Sequence, residues 1–352
     1  MKEDRQAMLQ FLSSLFAQPV EEHPDVLDEA LIEKAIDRVV LGTDRRLQAL
    51  RDYRKRLRQP VEQALSHVLA LVDALPAAVA ISPQAFGEDP RIRAFFVSTD
   101  HLSEVFRGFN GVHDYLAELD GPPPEEIFGL LTMIRGERNV FAMALDGETL
   151  RRDVLQVAVN FSKHRYLGPA GSEPGSRLEL KKRAFDFLIA KSLNRLSGKR
   201  RKRGELDRQR RLLRQKLDAM RAGRWGLGEL GDRLKDAESL RPDFAALEAQ
   251  IETIEAELGQ SPVGNLGLEE SLACVADTLG RPADWLAWRQ VCLRLDYRGI
   301  KVPHASAAPA NEIVLAELFS STGEQMTVLL GRIARKDLPE PADFWKTAKR
   351  YL

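Results

Sequence analysis

The six histidines, His23, His67, His101, His113, His164 and His304, are scattered through 352 residues with no HxxxH spacing and no neighbouring cysteine. A helix aligns two imidazoles on one face when they stand four apart, so no metal site is readable and no metal or other cofactor is expected. Asp100-His101 and His113-Asp114 each set an acid beside an imidazole, the groups that general base chemistry requires. Both pairs fall where helices are expected to begin, and capping accounts for them equally well. Ser162-Lys163-His164-Arg165-Tyr166 is the most function-like polar segment, leaving an expected strand. No GxSxG elbow or Walker sequence supports an enzyme, and no catalytic residue is assigned. Gly226-Leu227-Gly228-Glu229-Leu230-Gly231 has the spacing of a dinucleotide fingerprint. That fingerprint must follow a buried strand, whereas here it follows Arg221-Ala222-Gly223-Arg224-Trp225 at the end of a charged helix, so it reads as a turn.

The densest charge is Lys199-Arg200-Arg201-Lys202-Arg203, bracketed by Gly198 and Gly204. From Arg151 to Arg224 there are 22 basic residues against seven acidic ones, although the whole chain carries 52 of each sign. Clustered Lys and Arg can displace counterions from a phosphate backbone, or meet an acidic protein surface. Glu248, Glu252, Glu255 and Glu257 downstream can instead neutralise part of the run internally. The binding candidates are therefore Lys199, Arg200, Arg201, Lys202 and Arg203, together with Arg224 and Trp225 at the turn. Trp225 either folds back on its own helices or stands out as a partner anchor.

These residues need elements to position them. Phe244, Leu247, Ile251, Ile254 and Leu258 repeat with the alternating three-four spacing of a coiled-coil seam. Leu206, Leu213, Leu217 and Met220 offer a thinner matching stripe, so the two segments are expected to pair as an antiparallel hairpin, with the two glycines making one continuous first helix doubtful. The surplus of apolar seam points to self-association, and a homodimer is expected. Upstream, Met8 to Phe16, Leu27 to Val40 and Val61 to Leu75 carry apolar residues at helical spacing. Thr43 and Asp44 are placed to cap a helix at Arg45, and Pro60 starts or kinks the next one. Gly121-Pro122-Pro123-Pro124 then reads as a boundary. A helix is expected over 125–134, with Glu125-Glu126 at its N-terminus. Alternating runs at Phe141 to Leu145, Leu155 to Phe161, Val291 to Tyr297, Glu312 to Phe319 and Met326 to Leu330 read as strands of one mixed or antiparallel sheet.

The fold class is thus α+β, mainly α-helical. Residues 1–120 are expected as a helical domain and 125–175 as the first part of a β-containing domain. Residues 176–260 form an inserted basic helical arm, and 265–352 complete the β-containing domain. Gly168 to Gly175 and Gly259 to Gly264 are expected as flexible connections to the arm. Leu293-Arg294-Leu295-Asp296-Tyr297-Arg298-Gly299-Ile300 followed by a hairpin is loosely similar to the small barrel of PilZ-type cyclic-dinucleotide receptors. The ligand-binding arginine pair and DxSxxG-type segment of that family are not in recognisable order, so neither residues nor ligand carry over. Cys274 and Cys292 are too few to staple the chain and are expected as small core residues of a cytoplasmic protein. No apolar run approaches membrane-spanning length, so no membrane partner is expected. The excess of Arg over Lys suggests a bacterial source. The function expected is that of an interaction or scaffold protein acting through the arm. The alternatives are a nucleic-acid contact by the same basic arm, and an enzyme built from the Asp100/His101 and His113/Asp114 regions.

Overall fold

A computed structural model describes residues 28–119, 121–146, 149–221, 244–259, 267–303, 309–319 and 325–340. Arg224, Trp225 and the GxGxxG spacing lie outside the described residues, as do the apolar segment before Leu27 and most of the connection after Gly259. The fold is mixed α+β, with nine helices and six strands among the described residues. In chain order these are α1 (Glu29–Gly42), a 3-10 turn (Arg45–Ala49), α2 (Tyr53–Asp73), β1 (Val79–Ala80), α3 (Pro83–Glu88), α4 (Pro90–Phe95), α5 (Thr99–Arg107) and α6 (Asn110–Ala117). There follow β2 (Glu126–Asp146), β3 (Thr149–Ala170), α7 (Glu173–Arg221), α8 (Phe244–Gly259), α9 (Leu268–Gly280), β4 (Ala287–Leu295), β5 (Asn311–Phe319) and β6 (Gln325–Ala334). Among the described residues none of these helices is long and apolar enough to cross a membrane.

The described chain divides into two compact units, one of Glu62–Leu188 with Arg281 onward, the other of Asp28–Val61 with Ile189–Gly280. In the first unit the strands form one sheet in the order β3-β2-β6-β5-β4, antiparallel throughout, while β1 adds to β6 in parallel. Both strand-rich blocks of the sequence therefore meet in a single sheet. Side chains alternate across it. On one face Ile127, Leu131, Met133, Phe161, Leu293, Ile313 and Ile333 pack against Ile92, Phe95, Phe96, Leu102, Phe106 and Val112 of α4 to α6. Each fully buried Phe or Leu there is worth about 1.5–3 kcal/mol. On the other face Val328 and Leu330 meet Val72 and Leu75 from the end of α2 and Leu180 from α7. The short helices start where the sequence allows few alternatives. Ser82 accepts the Ala85 N–H at 3.0 Å, Ser98 the His101 N–H at 3.1 Å and Asp89 the Arg91 N–H at 2.8 Å, with Pro83 and Pro90 at the first helical positions.

Two sequence expectations are corrected here. Residues 126–134 are strand rather than helix, and Glu125-Glu126 stands at the head of β2, not at a helix N-terminus. The run is apolar on both phases because this stretch of β2 is covered on both faces and hydrogen-bonded on both edges, by β3 and β6. The Gly/Pro-rich stretch 168–175 is not a linker: it ends β3 and forms the first turn of α7. Gly168 has a φ of +61°, and Ser176 donates its hydroxyl to the Gly168 carbonyl at 2.9 Å, which turns the chain directly from strand into helix.

Candidate interaction surface

The second unit holds the basic run. α7 is one continuous helix of 49 residues, passing through both Gly198 and Gly204. Each glycine costs a helix interior about 1 kcal/mol relative to alanine, and tertiary anchoring offsets it. Ser192 and Leu196 are fully buried. Arg195 reaches Asp277 at 2.9 Å and the Thr278 hydroxyl at 2.7 Å, both on α9. α1 approaches closely enough that a Cβ on Gly42 would stand 2.5 Å from Cγ2 of Ile189.

Within the run, alternate residues have opposite roles. Arg200 is ion-paired to Asp44 and lies 3.5 Å from the Ser271 hydroxyl. Asp44 is nearly buried, with its side chain 8% exposed, and caps the 3-10 turn by accepting the Arg46 N–H at 3.0 Å. Its carboxylate also holds the Arg46 guanidinium through two bonds of 3.1 and 3.0 Å. Those hydrogen bonds, with the Arg200 contribution behind them, outweigh burial and pull the Asp44 carboxyl down from 3.8 to about 2. Arg203 faces Glu270 at 3.8 Å, and Lys202 faces Glu257 at 4.0 Å. Lys199, Lys202 and Arg203 share a cleft of about 660 Å³ with Glu257, Glu270 and Asp277, so its cations and carboxylates balance. Only Lys199 and Arg201 of the run are exposed with no carboxylate partner among the described residues.

Part of the expected association seam packs within the chain. Leu217, Leu247 and Ile251 form one buried cluster with Leu213 against it, and Arg214 is ion-paired to Glu255 beside them. Leu258 is buried as well, and Ile254 is half-buried. Phe244 opens α8; its side chain lies outside the described residues. On the opposite side of α7, positions 201, 208 and 212 share one helical face, with 211 at its margin. Arg201, Arg208 and Arg211 are exposed there, Arg208 leaning on Glu205 at 3.3 Å, and Leu212 is 59% exposed among them. The sequence pattern flagged Arg201 but missed the rest of this face, although the seven-residue spacing of Arg201 and Arg208 was available.

The acid and imidazole pairs are not assembled into a site. His101 accepts the Val97 N–H on Nδ1 at 3.2 Å, and the structure brings it to His164 rather than to the His113-Asp114 region. The two rings stand edge to face with centroids 5.7 Å apart, and His164 stacks on Phe96 at 5.0 Å. His164 Nε2 donates to the Phe95 carbonyl at 3.0 Å. Its pKa is lowered, mainly by burial, with the Phe95 carbonyl opposing and His101 adding a little. The cause of this placement is a bulge: Lys163 has a φ of +56°, and the register with β2 slips between Thr132 and Ile134. That extra residue reverses the facing of β3, so His164 and Tyr166 point to the same side as Phe161. The buried Tyr166 hydroxyl lies 2.7 Å from the Gly331 carbonyl and 3.0 Å from that of Ile127, and its pKa is pushed up by burial. The cysteines part company with expectation: Cys274 is buried, but Cys292 is exposed on β4 because its side falls on the open face of the sheet's edge. Among the described residues no cluster of three or more His, Cys, Asp or Glu is placed to hold a metal. No protein family, curated protein or solved structure matches this chain.

Proposed function

We propose that this chain is an interaction protein that docks an acidic partner surface through the α7/α8 pair, arranged as an antiparallel coiled-coil-like hairpin. The observation that supports this reading is the division of labour on α7. One side is sealed by Leu213, Leu217, Leu247 and Ile251, while the outer side presents the exposed Arg201, Arg208, Arg211 and Leu212. An exposed apolar side chain on a face that also carries arginines is a pattern found at interfaces, where arginine supplies both charge and contact area. The second reading, contact with a nucleic-acid backbone, draws on the same three cations.

A photo-crosslinking residue in place of Leu212, used in cells that express the full chain natively, separates the two. The expected result is a discrete protein adduct that survives nuclease treatment and disappears when Arg201 and Arg211 are changed to Gln. A nuclease-sensitive adduct assigns the surface to nucleic acid. An adduct of the chain with itself assigns it to self-association. No adduct above background removes the docking reading.

A further inference from the structure

A different surface, independent of α7 and α8, lies in the sheet of the first unit. β6 is paired with β2 along most of one edge, from Glu126 opposite Ala334 to Met133 opposite Thr327. Its other edge is divided. β5 pairs with residues 325–328, where Phe319 faces Gln325 and Ala316 faces Val328, and the ladder stops there. Further along the same edge, β1 takes over, with Val79 opposite Gly331 and Ala80 opposite Arg332. The first half of β5 is thus split from β6 by β1, and the second edge of residues 311–315 has no strand partner among the described residues.

The split is an open space. A cavity of about 650 Å³ lies between Val79 and Ala80 on one side and Glu312, Ile313 and Val314 on the other, with α3 and the start of α4 as its wall. A strand residue in a sheet occupies about 3.3 Å of length, 4.8 Å of width and up to about 10 Å of thickness. The space therefore matches about four residues of extended chain. Its backbone groups are aimed correctly. The Ile81 N–H donates to the Arg332 carbonyl at 2.8 Å, and in a parallel pair alternate residues face opposite edges. Ala80 then turns its N–H and carbonyl away from β6 and into the gap. Two strand edges lining an open space are a template that folded proteins ordinarily cover.

The charge at the rim selects the occupant. Asp89 is held by both bonds of Arg91, at 3.1 and 2.7 Å, so that pair is internally neutral. Glu88 and Glu312 have no cation partner among the described residues; Glu88 accepts from the Gln84 amide and Glu312 from the Cys292 thiol. Val314, 53% exposed, adds an apolar floor.

We propose that the gap between β1 and the first half of β5 receives an extended peptide strand of a partner protein, one carrying lysine or arginine beside apolar residues. The strand completes the sheet by main-chain hydrogen bonds, and Glu88 and Glu312 select its charge.

The test is fluorescence anisotropy of the full chain with a labelled hexapeptide alternating lysine and valine. Its controls are the glutamate-valine counterpart and a version N-methylated at alternate residues, which keeps charge and side chains but loses donors on one edge. The lysine-valine peptide is expected to bind saturably, with the glutamate-valine and N-methylated peptides about tenfold weaker or more. Glu88→Gln with Glu312→Gln should weaken the lysine-valine peptide about tenfold. Ala80→Pro, which removes the N–H aimed into the gap and leaves the β6 pairing intact, should weaken it comparably. The idea is overturned by the absence of saturable binding up to about 1 mM, or by equal binding of the N-methylated peptide. Unchanged binding to folded Ala80→Pro overturns it too. If Ala80→Pro does not fold, the N-methylated comparison on the unaltered chain decides.

Discussion

Asp44→Asn removes the carboxylate that ties Arg46, and Arg200 of the basic run, into the fold. Asparagine keeps an oxygen for the Arg46 N–H but removes the charge that Arg46 and Arg200 share. The carboxyl falls from 3.8 in a free aspartate to about 2 here, and each pKa unit is worth about 1.4 kcal/mol, so the ionised side chain contributes about 2 kcal/mol at neutral pH. The sign follows from the depressed value. The stabilisation is fully present above 3.8 and is lost as pH falls through about 2. Urea unfolding should therefore show Asp44→Asn less stable by about 2 kcal/mol at about pH 7 and pH 5, and by about 1 kcal/mol at about pH 3. Arg200→Gln should destabilise by a smaller amount, on the order of 1 kcal/mol, and non-additively with Asp44→Asn. Lys199→Gln and Arg201→Gln should stay within about 0.5 kcal/mol of the unaltered chain. A loss below about 0.5 kcal/mol for Asp44→Asn at neutral pH would refute the reasoning. So would a loss that does not shrink toward pH 3, or strict additivity with Arg200→Gln.

Two further outcomes follow from the other sites. The His164 pKa is lowered in the fold, chiefly by burial, so its contribution to stability should be fully present above the ordinary histidine value of 6.5 and decline as pH falls below it. Urea midpoints between about pH 7.5 and 5.5 should show that slope, and His164→Gln should flatten it; an unchanged slope would clear His164 of the effect. Ile251→Lys puts a charge into the cluster of Leu213, Leu217 and Leu247 and should cost about 3 kcal/mol, read as an early loss of helical circular dichroism on heating. Sedimentation of that variant should match the unaltered chain, whereas a dimer converted to monomer would show that the seam joins two copies.

Much of this fold is written locally. Asp44, Ser82, Asp89 and Ser98 precede helices and cap them, and the alternating runs from Leu155 and from Val291 are strands. The failures have a common physical origin in partners far along the chain. Ile127 to Met133 has no single-face alternation because its strand is covered on both faces, so its sequence does not separate strand from helix. Gly168 and Pro174 look like linker residues because the hydroxyl that turns them into a strand-to-helix corner belongs to Ser176, eight residues on from Gly168. His164 meets His101 only because Lys163 adopts a left-handed conformation that no residue pattern announced. β1 is two residues long, too short to be read at all, yet it makes the gap beside β5.

The same distance effect governs the charge. The basic run is clustered along the chain and in space, but part of its charge is neutralised, since Asp44, Glu257 and Glu270, 156, 55 and 67 residues from their cations, sit opposite it. Counting Lys and Arg along the sequence therefore overstates what a polyanion would meet. Counterion release scales with the cations that are free to face phosphates, at about 0.9 per contact on duplex DNA. With Arg201, Arg208 and Arg211 on the outer face, a fourfold rise in salt would weaken such binding by about 40-fold, against about 500-fold for five contacts from the whole run. Three cations on the outer face, one of them leaning on Glu205, are few for a backbone binder that must hold against physiological salt. In the proposed docking they would orient a protein interface that draws on the apolar contact of Leu212, and on that argument the proposal puts docking ahead of nucleic-acid binding for this face.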